Sequence, residues 1–231
     1  MTKYTLLLEE GKFYHIYNQG NNGENLFYND NNYIYFLQKL DHYLSDFVDL
    51  YAFCLMPNHF HLLIKIKTLE ELEENSKERV IEFELVKSLK LNKFEERLAV
   101  SSKPVKFQKL NRFDQSTAYS LFISNQFRLF FMSYSKSINK QNGRRGSLFR
   151  EIFKRKEIDS LLYLQQTVIY IHRNPLHHGL ESNFTNYRWS SYDRVLKEKA
   201  TKLKKNDVLE WFEDKDNYRY VHNSDVGDDI E

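Results

Sequence analysis

The strongest constraint on the fold is a pair of apolar stretches separated by three residues that favour a turn. The first stretch covers 48–55 (VDLYAFCL), the turn is MPN, and the second stretch covers 59–67 (HFHLLIKIK). Pro57 disfavours helical angles at the residue before it, so a helix cannot run through this turn. We therefore predict two strands joined as a hairpin, and we expect the second to be central because apolar residues flank its two histidines on both sides.

The remaining segments predict two further strands and three helices around this hairpin. In chain order they are a strand over 12–20, a helix capped within 29–32, a long helix over 117–142, a strand over 147–156, and a helix that begins near Asp159 and ends at Pro175. Apolar residues recur at three- and four-residue spacing in the helices, and proline is a normal stop signal. The resulting order predicts an α+β fold, a ferredoxin-like antiparallel sheet with helices packed on one face.

The composition indicates a folded protein with one main domain. Apolar residues make up 41% of the 231 residues and aromatic residues 16%, which is sufficient for a hydrophobic core. We expect this domain to cover 1–200, with a charged helical insertion near 68–116, and a C-terminal helical tail to cover 201–231. No apolar run approaches the roughly 18 residues that a membrane span needs. The single cysteine, Cys54, excludes an internal disulfide, so a reduced, cytoplasmic setting is expected.

The segment 140–156 concentrates positive charge, although the whole chain carries a formal net charge of only +2. Phe149 and Phe153 are interleaved with its cations, and this mixture favours nucleic-acid binding because bases stack on aromatic rings while cations contact phosphates. A solvated face that binds nothing is the alternative. The candidate DNA-binding residues are Arg144, Arg145, Arg150, Lys154, Arg155 and Lys156.

Two histidines, His59 and His61, lie one residue apart in the second strand of the predicted hairpin. Alternate side chains of a strand point the same way, so both imidazoles share one face while Phe60 points to the other. Two neutral imidazoles side by side can chelate a metal ion. The alternative is a pair of ordinary histidines on a solvent-facing sheet.

A second group of polar residues lies in the stretch 170–180, YIHRNPLHHGL. On a helix Tyr170 and Asn174 lie four residues apart and therefore on the same side, with Cβ atoms about 5–6 Å apart. His172 faces elsewhere. The alternative is an ordinary helix end, since Pro175 and Gly179 are both usual at such positions.

Taken together, the stretches LMPNHFHLLI, YIHRNPLHHGL and YRWSSY resemble the REP-associated tyrosine transposases, relatives of the single-tyrosine transposases of the HUH nuclease superfamily. The resemblance implies an enzyme that cleaves and rejoins single-stranded or hairpin DNA through a 5′-phosphotyrosine intermediate. It implies that Tyr170 is the catalytic nucleophile, that His59 and His61 bind a divalent metal, and that Asn174 completes the metal site. Mg²⁺ or Mn²⁺ suits such nitrogen and oxygen ligands.

Two other functions stay open at this point. A zinc hydrolase would combine the histidine pair with a third ligand, namely His172, His177 or His178, and would use water as its nucleophile. A non-catalytic relative would bind hairpin DNA and cleave nothing. The sequence also leaves open whether the chain is a monomer or a homodimer.

Overall fold

The computed structural model describes residues 6–75 and 115–224, and a four-stranded antiparallel sheet forms the centre of this part of the chain. The strands are β1 (Phe13–Gln19), β2 (Val48–Met56), β3 (His59–Ile66) and β4 (Lys154–Ile158), in the spatial order β2-β3-β1-β4. The helices are α1 (Asp30–Leu44), α2 (Leu69–Asn75), α3 (Gln115–Gln141), α4 (Leu161–His177), α5 (Tyr192–Leu196), α6 (Lys205–Trp211) and α7 (Lys215–Asn223).

The chain follows the order β1-α1-β2-β3-α3-β4, and each of the two crossovers skips over one strand of the sheet. This is the ferredoxin-like arrangement that the sequence predicts, so the α+β fold class is confirmed. The predicted hairpin is present as well, because Met56 pairs with His59 directly across the turn. β3 is central, with β2 on one side and β1 on the other.

The two crossover helices, α1 and α3, lie against the face of the sheet that carries Phe60. The ring of Phe60 lies 5.1 Å from that of Phe36 in α1 and 5.6 Å from that of Phe131 in α3. All three side chains are buried, and burial of an apolar side chain of this size contributes about 2 kcal/mol to folding. Aromatic packing therefore holds this layer of helices on the sheet.

The opposite face of the sheet is covered by α4, which contacts β2 and β3, and α7 packs in turn on α4. The structure differs here from the prediction that helices cover one face only. The physical reason lies in β3, where the neighbouring residues Leu62 and Leu63 point to opposite faces and are both fully buried. A strand that is apolar on both faces needs a layer of helices on each.

Two predicted element boundaries were wrong. α4 runs through Pro175 to His177, because a proline in the last turn removes only its own bond to the Ile171 carbonyl, and the His178 N–H still donates to the Asn174 carbonyl at 3.0 Å. The fourth strand begins at Lys154 instead of 147, because the preceding residues form an irregular segment whose Leu148 side chain is buried.

Most of the predicted insertion, 76–114, lies outside the described residues. Within the predicted tail, α6 and α7 are both present. Across the ranges that the structure describes, no helix has both the length and the apolar character needed to cross a lipid bilayer.

Candidate active site

The centre of the candidate site is the face of β3 that lies against α4. As predicted, His59 and His61 project to the same face, and their ring centroids are 5.4 Å apart. Strand β1 lies alongside with Tyr17 directly opposite His61, and these two rings stack at 5.7 Å. The imidazole of His61 is thus enclosed between the sheet and α4.

His61 is hydrogen-bonded to a third histidine. Its Nδ1 atom lies 2.9 Å from Nε2 of His15 in β1, and both side chains are buried. Burial lowers the pKa of His15 to about 3, with a smaller contribution from the positive charge of Lys156. Burial also holds the pKa of His61 well below its usual value. Both rings are therefore neutral at physiological pH, which is the form that can bind a metal ion.

The ring of His59 is held by the residue that precedes it. Its Nδ1 atom lies 2.7 Å from the side-chain oxygen of Asn58, whereas its Nε2 atom is buried without a hydrogen-bond partner among the described residues. Burial lowers the pKa of His59 to about 4, and His178 adds to this effect. Such a neutral ring with one unsatisfied nitrogen is a candidate metal ligand.

The backbone of Asn58 is fixed by a close contact with the end of β1. The Gly20 N–H donates to the Asn58 carbonyl at 2.7 Å. A β-carbon at residue 20 would collide with the carbonyl oxygen of Glu24. Its φ of −64° is ordinary for any residue, so space and not backbone conformation requires glycine here.

Two side chains of α4 and its C-cap residue, His178, follow one another at four-residue intervals on the side of the helix that faces the site. The ring of Tyr170 lies 5.6 Å from that of His61, and the ring of His178 lies 4.4 Å from that of His59. Asn174 is fully buried and comes between these two positions on the helix, so it lies opposite the histidine pair. The structure thus brings the rings of Tyr170, His59 and His61 together and places Asn174 one helical turn after Tyr170.

The residues present fit a divalent cation. The side-chain oxygen of Asn174, like Nε2 of His59, is buried and unpaired within the described part of the chain. Both atoms carry lone pairs that a divalent cation accepts, so each is suited to be a ligand. No group of three or more His, Cys, Asp or Glu in ranges 6–75 and 115–224 has the arrangement of a metal site, so a third protein ligand would be the carboxamide.

The alternative third ligands of a zinc site have different positions. His172 lies in a separate buried cluster, where its two ring nitrogens contact Ser191 Oγ at 2.7 Å and His222 Nε2 at 3.0 Å. It is therefore not a ligand beside His59. The ring of His177 lies 6.2 Å from that of Tyr170, and His178 is exposed at the end of α4.

The predicted DNA-binding residues divide between the two faces of the sheet. Lys154 and Lys156 are exposed on β4 and pair with Tyr17 and His15, so they lie on the histidine face. Arg155 points to the other face, where its guanidinium donates to the Leu6 carbonyl and to a serine hydroxyl, both at 3.1 Å. Burial lowers its pKa to about 10.

The other three arginines lie before β4. Arg144 forms an ion pair with Glu24 and donates to the side-chain oxygen of Asn139 at 2.7 Å. Arg145 and Arg150 are exposed. Of the six predicted DNA-binding residues, Lys154 and Lys156 are therefore the two that are exposed on β4 on the same face of the sheet as the histidines.

The two phenylalanines of the basic segment are part of the core. Phe149 lies 5.1 Å from Phe131 and Phe153 lies 5.0 Å from Phe127, measured between ring centroids, and both side chains are buried. The prediction that Phe149 stacks on bases is therefore wrong, since its ring is already packed against α3.

Sequence reasoning missed His15 and Asn58, the two residues that hydrogen-bond the predicted metal ligands. A signal for His15 exists, because positions 13, 15 and 17 share one face of β1. That signal identifies a neighbour of His61 only when the register between β1 and β3 is known.

Comparison with known proteins supports the fold. No protein-family model and no curated protein matches this chain. A solved structure of a REP-associated tyrosine transposase bound to a REP hairpin superimposes with a TM-score of 0.51, over 85% of this chain and 86% of that chain. This chain has the fold of that transposase. The sequence identity is 14%, so the likeness extends to the fold, and the roles of individual residues rest on their geometry.

Proposed function

We propose that this protein is a metal-dependent single-strand DNA transposase or endonuclease that cleaves and rejoins DNA through a 5′-phosphotyrosine intermediate at hairpin-bearing ends. The observation that carries the proposal is the position of Tyr170, whose ring lies 5.6 Å from that of His61 on the helix that also carries Asn174. A phenol beside two neutral imidazoles and an unpaired carboxamide oxygen suits covalent attack on a phosphodiester.

The reaction is a transesterification in which Tyr170 is the nucleophile. Its phenolic oxygen forms a bond to phosphorus as the bond from phosphorus to the 3′ oxygen breaks; the phenol proton passes to solvent, and the 3′ oxygen takes up a proton. The phosphodiester is exchanged for another, so a 3′-hydroxyl can reverse the step without an external energy source. A divalent ion, Mg²⁺ or Mn²⁺, held by His59, His61 and Asn174 would withdraw negative charge from the phosphate.

Two observations favour DNA as the substrate. The solved transposase of the same fold is bound to a REP hairpin. In this chain the ammonium groups of Lys154 and Lys156 lie on the face of the sheet that carries the histidines, where they would contact the phosphates of a strand that reaches Tyr170.

A cleavage assay with a matched pair of variants tests the proposal. The substrates are single-stranded oligonucleotides with hairpins, taken from the DNA flanking the gene and incubated with Mn²⁺. The wild type is expected to cleave and to form a denaturant-resistant protein–DNA adduct, and Tyr170→Phe is expected to form neither while still binding the hairpin. Tyr163→Phe is the control, because it removes a hydroxyl from the same helix that has no hydrogen-bond partner in the described structure.

Two results would contradict the proposal. Cleavage that persists in Tyr170→Phe without an adduct would indicate a hydrolase with a water nucleophile. Binding of the hairpin without cleavage by the wild type, with either Mg²⁺ or Mn²⁺, would indicate a non-catalytic DNA-binding protein.

A further inference from the structure

Both predicted metal-binding histidines are hydrogen-bonded through the same ring atom. His59 Nδ1 lies 2.7 Å from Asn58 Oδ1, and His61 Nδ1 lies 2.9 Å from His15 Nε2. The partners come from different elements, the turn before β3 and the neighbouring strand β1. In each ring the Nε2 atom is thereby left as the one that can meet a ligand.

We propose that Asn58 and His15 are positioning residues that place the proton of each ligand ring on Nδ1 and so present both Nε2 lone pairs to the metal ion. The inference rests on the metal site of the proposed function and identifies the residues that prepare it. Hydrogen bonds of this kind orient ligating histidines and raise their basicity.

The Asn58 half of the proposal follows from the inventory of donors and acceptors. A carboxamide oxygen only accepts, so His59 Nδ1 must be the donor in this contact. A proton on Nε2 would have no acceptor among the described residues. Nε2 is therefore the bare nitrogen, and it is the buried atom for which the described residues offer no partner.

The His15 half concerns a single 2.9 Å hydrogen bond whose geometry fits either ring as the donor. If His15 Nε2 were the donor, His61 Nδ1 would be the acceptor and the proton of His61 would lie on His61 Nε2. That is the atom whose lone pair the proposed metal ion needs. If His61 Nδ1 is the donor, His15 carries its own proton on Nδ1 and His61 Nε2 is free. The rings are stacked at 5.1 Å, and both are buried between β1, β3 and α4, so neither exchanges this partner for water at low cost.

The first test reads the proton positions directly in the metal-free protein. Long-range ¹H–¹⁵N correlation spectra distinguish the two neutral tautomers of a histidine ring. We expect the Nδ1–H form at both His59 and His61. Observation of the Nε2–H form at either ring would overturn the proposal for that ring.

The second test measures Mn²⁺ affinity by titration calorimetry without DNA. His15→Phe and Asn58→Leu keep the approximate shape of each side chain and remove the acceptor, so each is expected to weaken Mn²⁺ binding by about 10- to 100-fold. His15→Gln and Asn58→Asp retain an acceptor oxygen and are expected to bind Mn²⁺ within a few-fold of the wild type. Circular dichroism checks that each variant is folded. If His15→Phe or Asn58→Leu does not fold, a large loss of Mn²⁺ affinity in folded His15→Gln or Asn58→Asp overturns the proposal.

The outcomes separate this inference from the proposed function. Unchanged Mn²⁺ affinity in folded His15→Phe or Asn58→Leu, or no Mn²⁺ binding by the wild type, overturns the positioning role. Normal Mn²⁺ binding and Nδ1–H tautomers in a protein that never forms an adduct with DNA would support the positioning role while contradicting the proposed transposase activity.

Discussion

Two groups of histidines in this protein, four of them buried and His59 partly buried, have different surroundings. The strand histidines are His15, His59 and His61 on the sheet, and the helix histidines are His172 in α4 and His222 in α7. Burial lowers the pKa of every one of these five rings, so all are neutral at physiological pH. The groups differ in what their ring nitrogens contact.

In the helix histidines both nitrogens of each ring are paired. His222 Nδ1 lies 2.7 Å from the Tyr218 carbonyl, which only accepts, so His222 Nε2 accepts in turn from His172 Nδ1 at 3.0 Å. His172 Nε2 then accepts from the hydroxyl of Ser191 at 2.7 Å, and that hydroxyl accepts the Phe53 N–H of β2 at 2.8 Å. One continuous chain of hydrogen bonds therefore joins the sheet, α4 and α7.

In the strand histidines the corresponding chain is incomplete, because Nε2 of His59 has no partner in the part of the protein that the structure describes. A complete network of buried polar groups stabilises a fold, whereas a buried acceptor left unpaired costs stability and requires an explanation. The two groups therefore differ in one unpaired buried nitrogen, and the proposed metal-binding role of His59 rests on that nitrogen.

The largest expected effect separates the two groups by stability. His172→Ala should lower the free energy of unfolding by about 3 kcal/mol, because it leaves Ser191 and His222 buried without their partner. His59→Ala should lower it by only about 1 kcal/mol, since one hydrogen bond to Asn58 is lost. Urea denaturation measures both values, and equal losses of unfolding free energy would contradict the structural difference between the two groups of histidines. DNA cleavage should show the reverse order, with His59→Ala inactive and any folded His172→Ala protein active.

The next effect concerns pH and the helix histidines. The pKa of His222 is lowered to about 3 from 6.5, so the unfolded chain binds more protons than the folded one between these values and stability falls as pH falls through this window. Because of His222 alone, the free energy of unfolding should fall by about 2 kcal/mol between pH 7 and pH 5. His222→Phe should therefore show a flatter dependence of unfolding free energy on pH. An unchanged slope would mean that His222 does not titrate as its burial implies.

A smaller effect compares the two faces of β4. The double variant Lys154→Ala/Lys156→Ala should weaken binding of single-stranded DNA by about 10-fold and reduce the slope of log affinity against log salt by about 1.4. Arg155→Met, on the opposite face, should leave that slope unchanged and lower stability instead. Fluorescence anisotropy at several salt concentrations measures the affinity, and a larger loss in Arg155→Met than in the lysine variant would place the DNA on the other face.

The smallest effect concerns the buried ring of Phe149. Phe149→Leu should cost about 1 kcal/mol of stability through poorer packing against α3 and should leave DNA affinity unchanged. If this ring stacked on a base, the affinity would fall instead, by an amount equivalent to about 1–3 kcal/mol.

The sequence predicted those parts of the site that depend on local periodicity. A period of two places His59 and His61 on one face, and a period of 3.6 places Tyr170 and Asn174 on one side of a helix. The contact between His15 and His61 joins residues 46 positions apart and depends on the register between two strands, which no local pattern encodes. The burial of Phe149 was missed for the same reason, because it depends on where the distant helix α3 lies.

The closeness of Gly20 to the turn before β3 has a consequence for the imidazole of His59. Even a methyl group at position 20 would collide with the Glu24 carbonyl oxygen, so the chain around residue 20 would have to shift. The space beside Gly20 lets its N–H donate to the Asn58 carbonyl at 2.7 Å. That hydrogen bond fixes the backbone of the residue whose carboxamide contacts the His59 ring. Alanine at position 20 is therefore expected to disturb the hydrogen bond to the Asn58 carbonyl, although residue 20 is not one of the proposed metal ligands.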